Sequence, residues 1–366
     1  MDRRWQDAKR ILVVRLDNLG DVLLATPAFR AIRRARPAAS ITLFAGPAGA
    51  PVKGLIPDLD DVVVHRAPWM DPDHALSQEP AREQEIIATI RDGHYDGAII
   101  FTSYHQSALP AAYLCYLAGV PLRHAASIDG PGSLLTSRHH PPDRVMHEVE
   151  RGLDLVGGLG IPPAEDTLVL RPRDADRQAM RGYVGSVRRA RCPVVAIHPG
   201  CTCPTRTYPP ELFARAAAAL ETELGARILW TGSSAERNLV EEIRSSARAA
   251  GAPDGGISLA GQTDLSRLAA LLGAADVVVT NNTGPMHVAA AMGTPVAALF
   301  ALTNPPEEWH PWKVPHRLLN HDVPCRLCYR RVCPFGHECL RLVTADEVVA
   351  AVRGLLAETS EREQSA

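Results

Sequence analysis

Twice along the chain, short runs rich in Val, Ile and Ala alternate with stretches whose apolar residues recur at helical spacing. The first series places strands at 11–15, 41–45, 62–65 and 98–101, with an amphipathic helix at 22–35. The second places strands at 194–198, 228–231, 257–260, 277–280 and 296–300. Helices are expected between them at 210–224, 235–250, 265–272 and 286–292. Continuous apolar runs separated by helices predict parallel strands buried on both faces. The fold class is therefore α/β, with two domains that each carry a parallel sheet. Residues 161–191, rich in Pro, Arg and Asp, hold no strong strand and mark the boundary. This gives an N-terminal domain at 1–170 and a C-terminal domain at 171–345. Residues 346–366 follow as a closing helix, centred on 348–356 behind a Thr344–Glu347 capping box, and a frayed polar tail.

Ligands of parallel α/β sheets bind beyond the carboxyl ends of the strands, so strand-to-helix turns are the places to search. Ahead of the 22–35 helix stand Asn18, Leu19, Gly20 and Asp21. Gly20 suits a tight turn. Asp21 reads either as an N-cap or as a general base that takes a proton from a hydroxyl nucleophile. No dinucleotide fingerprint is present. Near 280, Asn282, Thr283, Gly284, Pro285, Met286 and His287 open a helix with proline in its first turn, a natural phosphate site at the positive helix end. His198 and Gly200 follow a strand and lead to Arg206, a cation suited to a diphosphate. Thr231 and Gly232 lead to Glu236, which reads as a ribose ligand or as a helix-start acid.

Cys325, Cys328, Cys333 and Cys339 supply four thiols within fifteen residues. They read as a structural zinc site, as a reduced Cys-rich loop, or as one disulfide formed on oxidation. Four thiolates leave no open position on the metal, so no catalytic metal is expected here.

The 366 residues are 46% hydrophobic and carry a formal net charge of −2, enough to bury a core and without the basic footprint of a nucleic-acid binder. The cluster Arg30, Arg33, Arg34 and Arg36 reads as a solvated helix face or as a phosphate- or membrane-facing patch. No uncharged stretch reaches the ~20 residues of a membrane span. The first residues lack the apolar core of a signal peptide. A cytoplasmic location is expected, with at most peripheral membrane contact.

Taken in order, these segments resemble glycosyltransferase family 9, the family of the bacterial lipopolysaccharide heptosyltransferases. Asn18 to Val22 with Thr26-Pro27-Ala28 is similar to the family's opening motif. So are His198-Pro199-Gly200 through Tyr208-Pro209, Leu259 to Thr263, and Asn281 to His287. The Cys325–Cys339 segment resembles an insertion found in many members. The resemblance implies a GT-B architecture of two facing Rossmann-like domains. It implies an inverting, metal-independent transfer from an ADP-sugar, typically ADP-heptose, with no cofactor required. The acceptor would be a hydroxyl of a lipopolysaccharide core, another glycan or a metabolite. It casts Asp21 as base, Arg206 where the family has Lys, Glu236 at the ribose, and residues 283–287 on the pyrophosphate. Asn282 stands where the family commonly has Asp, which keeps two alternatives open: a non-catalytic sugar-nucleotide binder, and a sugar-nucleotide epimerase or hydrolase of the same fold.

Overall fold

The structure, a computed structural model, describes residues 3–71, 75–76, 79–128, 134–188 and 192–365. The chain divides into two compact units after Val169. In chain order the first unit contains α1 (Arg3–Gln6), β1 (Arg10–Arg15), α2 (Leu19–Ala35), β2 (Ser40–Ala45), β3 (Asp61–Val64) and α3 (Pro80–Asp92). It continues with β4 (Gly97–Ile100), α4 (Leu109–Leu117), β5 (Leu122–Ala126), β6 (Ser137–His139) and α5 (Glu148–Gly157). The second unit begins with α6 (Asp174–Val187), β7 (Val194–His198), α7 (Pro210–Leu224), β8 (Arg227–Trp230), α8 (Arg237–Ala249) and β9 (Ile257–Ser258). Then come α9 (Leu265–Leu272), β10 (Val277–Asn281), α10 (Gly284–Ala291), β11 (Val296–Leu299) and α11 (Pro306–Trp309). The chain closes with β12 (His316–Leu319), α12 (Glu338–Arg341) and α13 (Ala345–Ser365).

Each unit is built on a six-stranded parallel sheet. The first runs β3-β2-β1-β4-β5-β6, with Val14 level with Ile100. The second runs β9-β8-β7-β10-β11-β12, with Thr280 level with His198. The two orders are the same, and the direction of winding reverses at β1/β4 and again at β7/β10. A crevice opens at such a reversal, and both clusters of polar residues described below lie there.

The central strands are apolar on both faces because helices cover both. Leu12, Val14 and Ile100 pack with Ile90, Ala112 and Cys115 in the first unit. In the second, Val195, Ile197 and Trp230 share a cluster with Phe213 and Leu220 of α7 and with Val348, Val352 and Leu355 of α13. Each such large side chain contributes roughly 1.5–3 kcal/mol by leaving water. Pro27 lies inside α2 and has no N–H for the Leu23 carbonyl. The Thr26 hydroxyl takes over that role, donating to Leu23 O at 2.6 Å while accepting from Val169 N at 2.9 Å. The Thr-Pro pair thus ties the last residue of the unit to its first long helix.

Several expectations are corrected. Helix α2 starts at Leu19 because the Asp21 carboxylate caps the Asn18 N–H. Gly20 is therefore helical and is not among the residues of positive φ. The 161–191 segment contains α6, a helix too polar for its apolar stripe to register. The tail from 358 is not frayed: α13 continues to Ser365, and Glu358 pairs with Arg317. Of the arginines of α2 and its C-cap, Arg34 is exposed as a solvated face would have it, while Arg30, Arg33 and Arg36 are half-buried. Arg30 and Arg34 meet Glu165, Arg33 meets Asp60, and Arg36 donates to Trp5 O.

Candidate functional site

At the reversal point of the first sheet, β1 ends in Arg15, whose guanidinium is buried among three carboxylates. Its Nε lies 2.9 Å from Asp17 Oδ2, and one terminal nitrogen lies 3.3 Å from Asp21 Oδ1 and 3.2 Å from Glu148 Oε2. The same nitrogen donates to Ser103 Oγ at 2.8 Å. Burial alone would lower the Arg15 pKa, but Asp17, Glu148 and Asp21 outweigh it and raise it. Burial also raises the Asp17 pKa against the pull of Arg15.

Asp21 serves two roles at once. Its Oδ2 accepts the Asn18 N–H at 3.0 Å, which makes it the third residue of a capping box rather than the N-cap itself. Its Oδ1 faces Arg15 and lines a cavity shared with Glu148, Arg151 and His139. Sequence reasoning singled out Asp21 and missed Arg15, Ser103 and Glu148. Arg15 was legible as a charge at the end of an apolar strand. Glu148 lies 133 residues from it and gave no local signal.

The reversal point of the second sheet gathers most of the remaining candidates. His198 at the end of β7 has its Nδ1 2.9 Å from Thr231 Oγ1 at the end of β8. Burial lowers the His198 pKa, opposed by Glu236. Glu236 caps the Ser233 N–H with Oε2 at 2.6 Å, and its other oxygen stands over Gly200. A Cβ on Gly200 would lie 1.9 Å from Glu236 Oε1, so the absence of a side chain there is what admits the carboxylate. Gly232 packs under the same Glu236 side chain.

Beyond β10, Thr283 precedes α10 and Pro285 sits in its first turn, as the sequence indicated. Thr283 N donates to Asn281 O at 2.8 Å and Met286 N to Thr283 O at 3.0 Å, so the turn is closed by its own amides, and the positive dipole end of this eight-residue helix lies at Gly284. His287 is buried and its Nδ1 has no hydrogen-bond partner among the described residues. Burial, then Arg206 and His310, lower its pKa to about 3, so the ring is neutral. Met286 is buried beneath the turn. Arg206 donates from Nε to Thr303 Oγ1 at 3.0 Å. Asn282 is engaged with the loop after β11: its Oδ1 accepts from Ala301 N at 3.2 Å, and its Nδ2 is 3.5 Å from Asn304 Oδ1. Asn281, outside the expected set, staples the site. Its Oδ1 accepts from Tyr208 N at 2.9 Å and its Nδ2 donates to Pro199 O at 2.8 Å.

The four thiols of 325–339 lie within electrostatic reach of one another: burial raises the Cys339 pKa, and Cys333, Cys325 and Cys328 add to it. Among the described residues no three His, Cys, Asp or Glu side chains are arranged to hold a metal ion, and all four cysteines are free thiols. Backbone hydrogen bonds fix the segment instead. Leu327 N donates to Leu302 O at 2.8 Å, Tyr329 N to Thr303 O at 2.9 Å, and Thr205 N to Arg331 O at 3.1 Å. The segment therefore buttresses Thr303 and the Arg206 loop from two sides.

The description "Glycosyltransferase family 9 (heptosyltransferase)" belongs to the family whose sequence model matches residues 84–338. The chain is 25% identical over 304 residues to lipopolysaccharide heptosyltransferase 2 of Escherichia coli strain K12, covering 81% of this chain and 84% of that one. A solved structure of the glycosyl transferase family 9 from Veillonella parvula DSM 2008 superposes with a TM-score of 0.78 at 21% identity, over 96% of this chain and 98% of that chain. The E. coli ADP-heptose lps heptosyltransferase II gives 0.72 at 21% identity, over 96% and 99%. Two parallel sheets of one strand order, matched end to end with these structures, define the two-domain Rossmann-like GT-B fold. With the family model matching residues 84–338, well over half of the chain, the chain belongs to glycosyltransferase family 9 and is a glycosyltransferase.

Proposed function

We propose that the enzyme transfers a heptosyl group from ADP-heptose to a hydroxyl of a lipopolysaccharide core or related glycan, with inversion and without a divalent ion. We place this activity in the cytoplasm, with at most peripheral membrane contact. The observation that carries the reading is the Asp21 carboxylate, oriented by Arg15 and capped by Asn18, in a cavity at the β1/β4 reversal. In this mechanism the acceptor oxygen attacks the anomeric carbon. The bond from that carbon to the diphosphate oxygen breaks, and its electron pair leaves with ADP. Asp21 takes the acceptor proton as general base. Arg206 and the positive dipole end of α10, at Thr283–His287, receive the charge that develops on the diphosphate. Glu236, poised over Gly200, accepts hydrogen bonds from the ribose hydroxyls. His198, Thr231 and Gly232 shape that pocket. Asn282 acts on the donor through the loop that holds Thr303, which in turn positions Arg206.

The donor named by the E. coli structure supports ADP-heptose here. Asp21→Asn is the direct test. Turnover is expected to fall about 10²–10⁴-fold, the range for a lost general base, while ADP binding is retained. Normal turnover by Asp21→Asn overturns the base assignment. Release of free sugar at the full rate without acceptor makes the enzyme a hydrolase.

A further inference from the structure

A second cavity, of about 300 Å³, opens beside the one that holds Asp21, and residues 100–102 form part of the wall of both. Trp69 makes one side of it and is 37% exposed. The indole is backed by the His65 ring at a centroid distance of 6.4 Å. His65 in turn stacks on Phe44 and is clamped 3.0 Å from Glu83. Facing this apolar plate is Asp17. Its Oδ1 accepts from Gln106 Nε2 at 2.6 Å and its Oδ2 lies 2.9 Å from Arg15 Nε. A carboxylate offers about four lone-pair positions, so Asp17 retains acceptor capacity toward the cavity. Gln106 accepts from Ser103 N at 3.0 Å through its Oε1 and keeps one amide hydrogen in hand.

The charge pattern is selective. Among the described residues lining this cavity there is no Lys or Arg, and Asp17 is its sole carboxylate. Arg15 belongs to the wall of the neighbouring cavity. Arg15 is engaged with Asp17 from behind the wall, and His105 is the other titratable side chain of the lining, so an anionic group entering here would find no Lys or Arg among the described lining residues to receive it. A neutral polyol would find hydrogen-bond acceptors on one side and an aromatic face on the other, the mixed lining that fixes a small ligand's orientation. Ser103 connects the two cavities, since its N–H reaches Gln106 and its hydroxyl contacts Asp21 Oδ1 at 3.5 Å.

We propose that this cavity is an acceptor subsite for an uncharged pyranose. The sugar's apolar face lies on Trp69, and its vicinal hydroxyls donate to Asp17 and accept from Gln106. The inference rests on Asp21 being the base of a glycosyl transfer, because that is what makes a neighbouring sugar an acceptor.

The test is saturation-transfer NMR on the full chain with ADP present. The probes are methyl α- and β-glucopyranoside, galactopyranoside and mannopyranoside at millimolar concentration, each against its 6-phosphate and uronate counterpart. Neutral glycosides are expected to bind and the anionic ones to bind more weakly. Trp69→Ala is expected to weaken the neutral ligands about tenfold and Trp69→Phe to restore most of that. A thermal shift with ADP confirms that each variant is folded. Stronger binding of the anionic set, no binding by any neutral glycoside, or Trp69→Ala binding like the wild type overturns the proposal. The same titration on Asp21→Asn separates the two readings. Neutral glycosides that still bind a variant of undiminished turnover leave a sugar site without the base. Loss of turnover with no glycoside binding leaves the base without this subsite.

Discussion

Replacing Arg15 by Met removes the cation that three carboxylates share and keeps a side chain of similar reach. The distances to Asp17, Asp21 and Glu148 are 2.9, 3.3 and 3.2 Å. At an effective dielectric of ~20, each contact is worth about 5 kcal/mol of Coulomb attraction before desolvation is counted. Burial of the guanidinium offsets much of that sum, so the expected loss is the roughly 3–5 kcal/mol typical of a buried network broken on one side. For a unit the size of Met1–Val169 that lowers the midpoint of its transition by roughly 10 °C. The pH dependence has a definite sign. Burial raises the Asp17 pKa and Arg15 is the main charge opposing it, so without Arg15 the folded variant takes up a proton at Asp17 more readily than its unfolded chain. Affinity for protons raised by folding stabilises as pH falls, so the deficit shrinks between about pH 8 and about pH 5. Urea unfolding of wild type and variant at both pH values measures this. A loss under about 1 kcal/mol, or a deficit that is the same at both values, refutes the claim that Arg15 neutralises the cluster.

Three further outcomes are expected. On the proposal that Arg206 meets the diphosphate, Arg206→Ala weakens ADP about 10–100-fold by calorimetry, with the unfolding midpoint nearly unchanged. Tyr208→Phe deletes the buried hydroxyl that donates to Val343 O at 2.8 Å. It should cost the second unit about 1–3 kcal/mol in urea, because the carbonyl is left unpaired. His287, with a folded pKa near 3 against an ordinary value of 6.5, contributes stability that is complete above about pH 6.5 and is lost as pH falls toward 3. From about pH 7 to about pH 5, wild type should therefore lose about 2 kcal/mol more than His287→Asn. Equal slopes would show that the ring is solvated in the native state.

The parallel sheets were legible because their central strands are fully apolar. Val194–His198 and Pro210–Leu224 coincide with expectation to the residue. Of the edge strands, β3 and β9 were legible, whereas β6 and β12 were not. Ser137–His139 contains no apolar residue, and its place in the sheet comes from pairing with β5. Local turn chemistry singled out Asp21, Arg206 and the Asn282–His287 turn as candidates, and the structure sets them at the carboxyl ends of their sheets. Their supports come from far along the chain: Glu148 behind Asp21, and Thr303 behind Arg206. Cysteine spacing suggested a metal, whereas the segment's fixed points are main-chain groups that spacing does not reveal.

The repeated strand order has a consequence for how such an enzyme diversifies. In each unit the candidate residues sit on loops where successive helices depart to opposite faces of the sheet, and the strands beneath contribute backbone pairing, apolar packing and, at their carboxyl ends, the fixed side chains of Arg15, His198 and Asn281. The loops after β1 and β4 can be rewritten without disturbing the frame, and so can those after β7 and β10. Under the roles proposed above, preference for the group that receives a sugar and preference for the nucleotide that delivers it are encoded in separate stretches of the gene. Selection can alter one while the other stays fixed, and a laboratory graft confined to either stretch inherits the same independence.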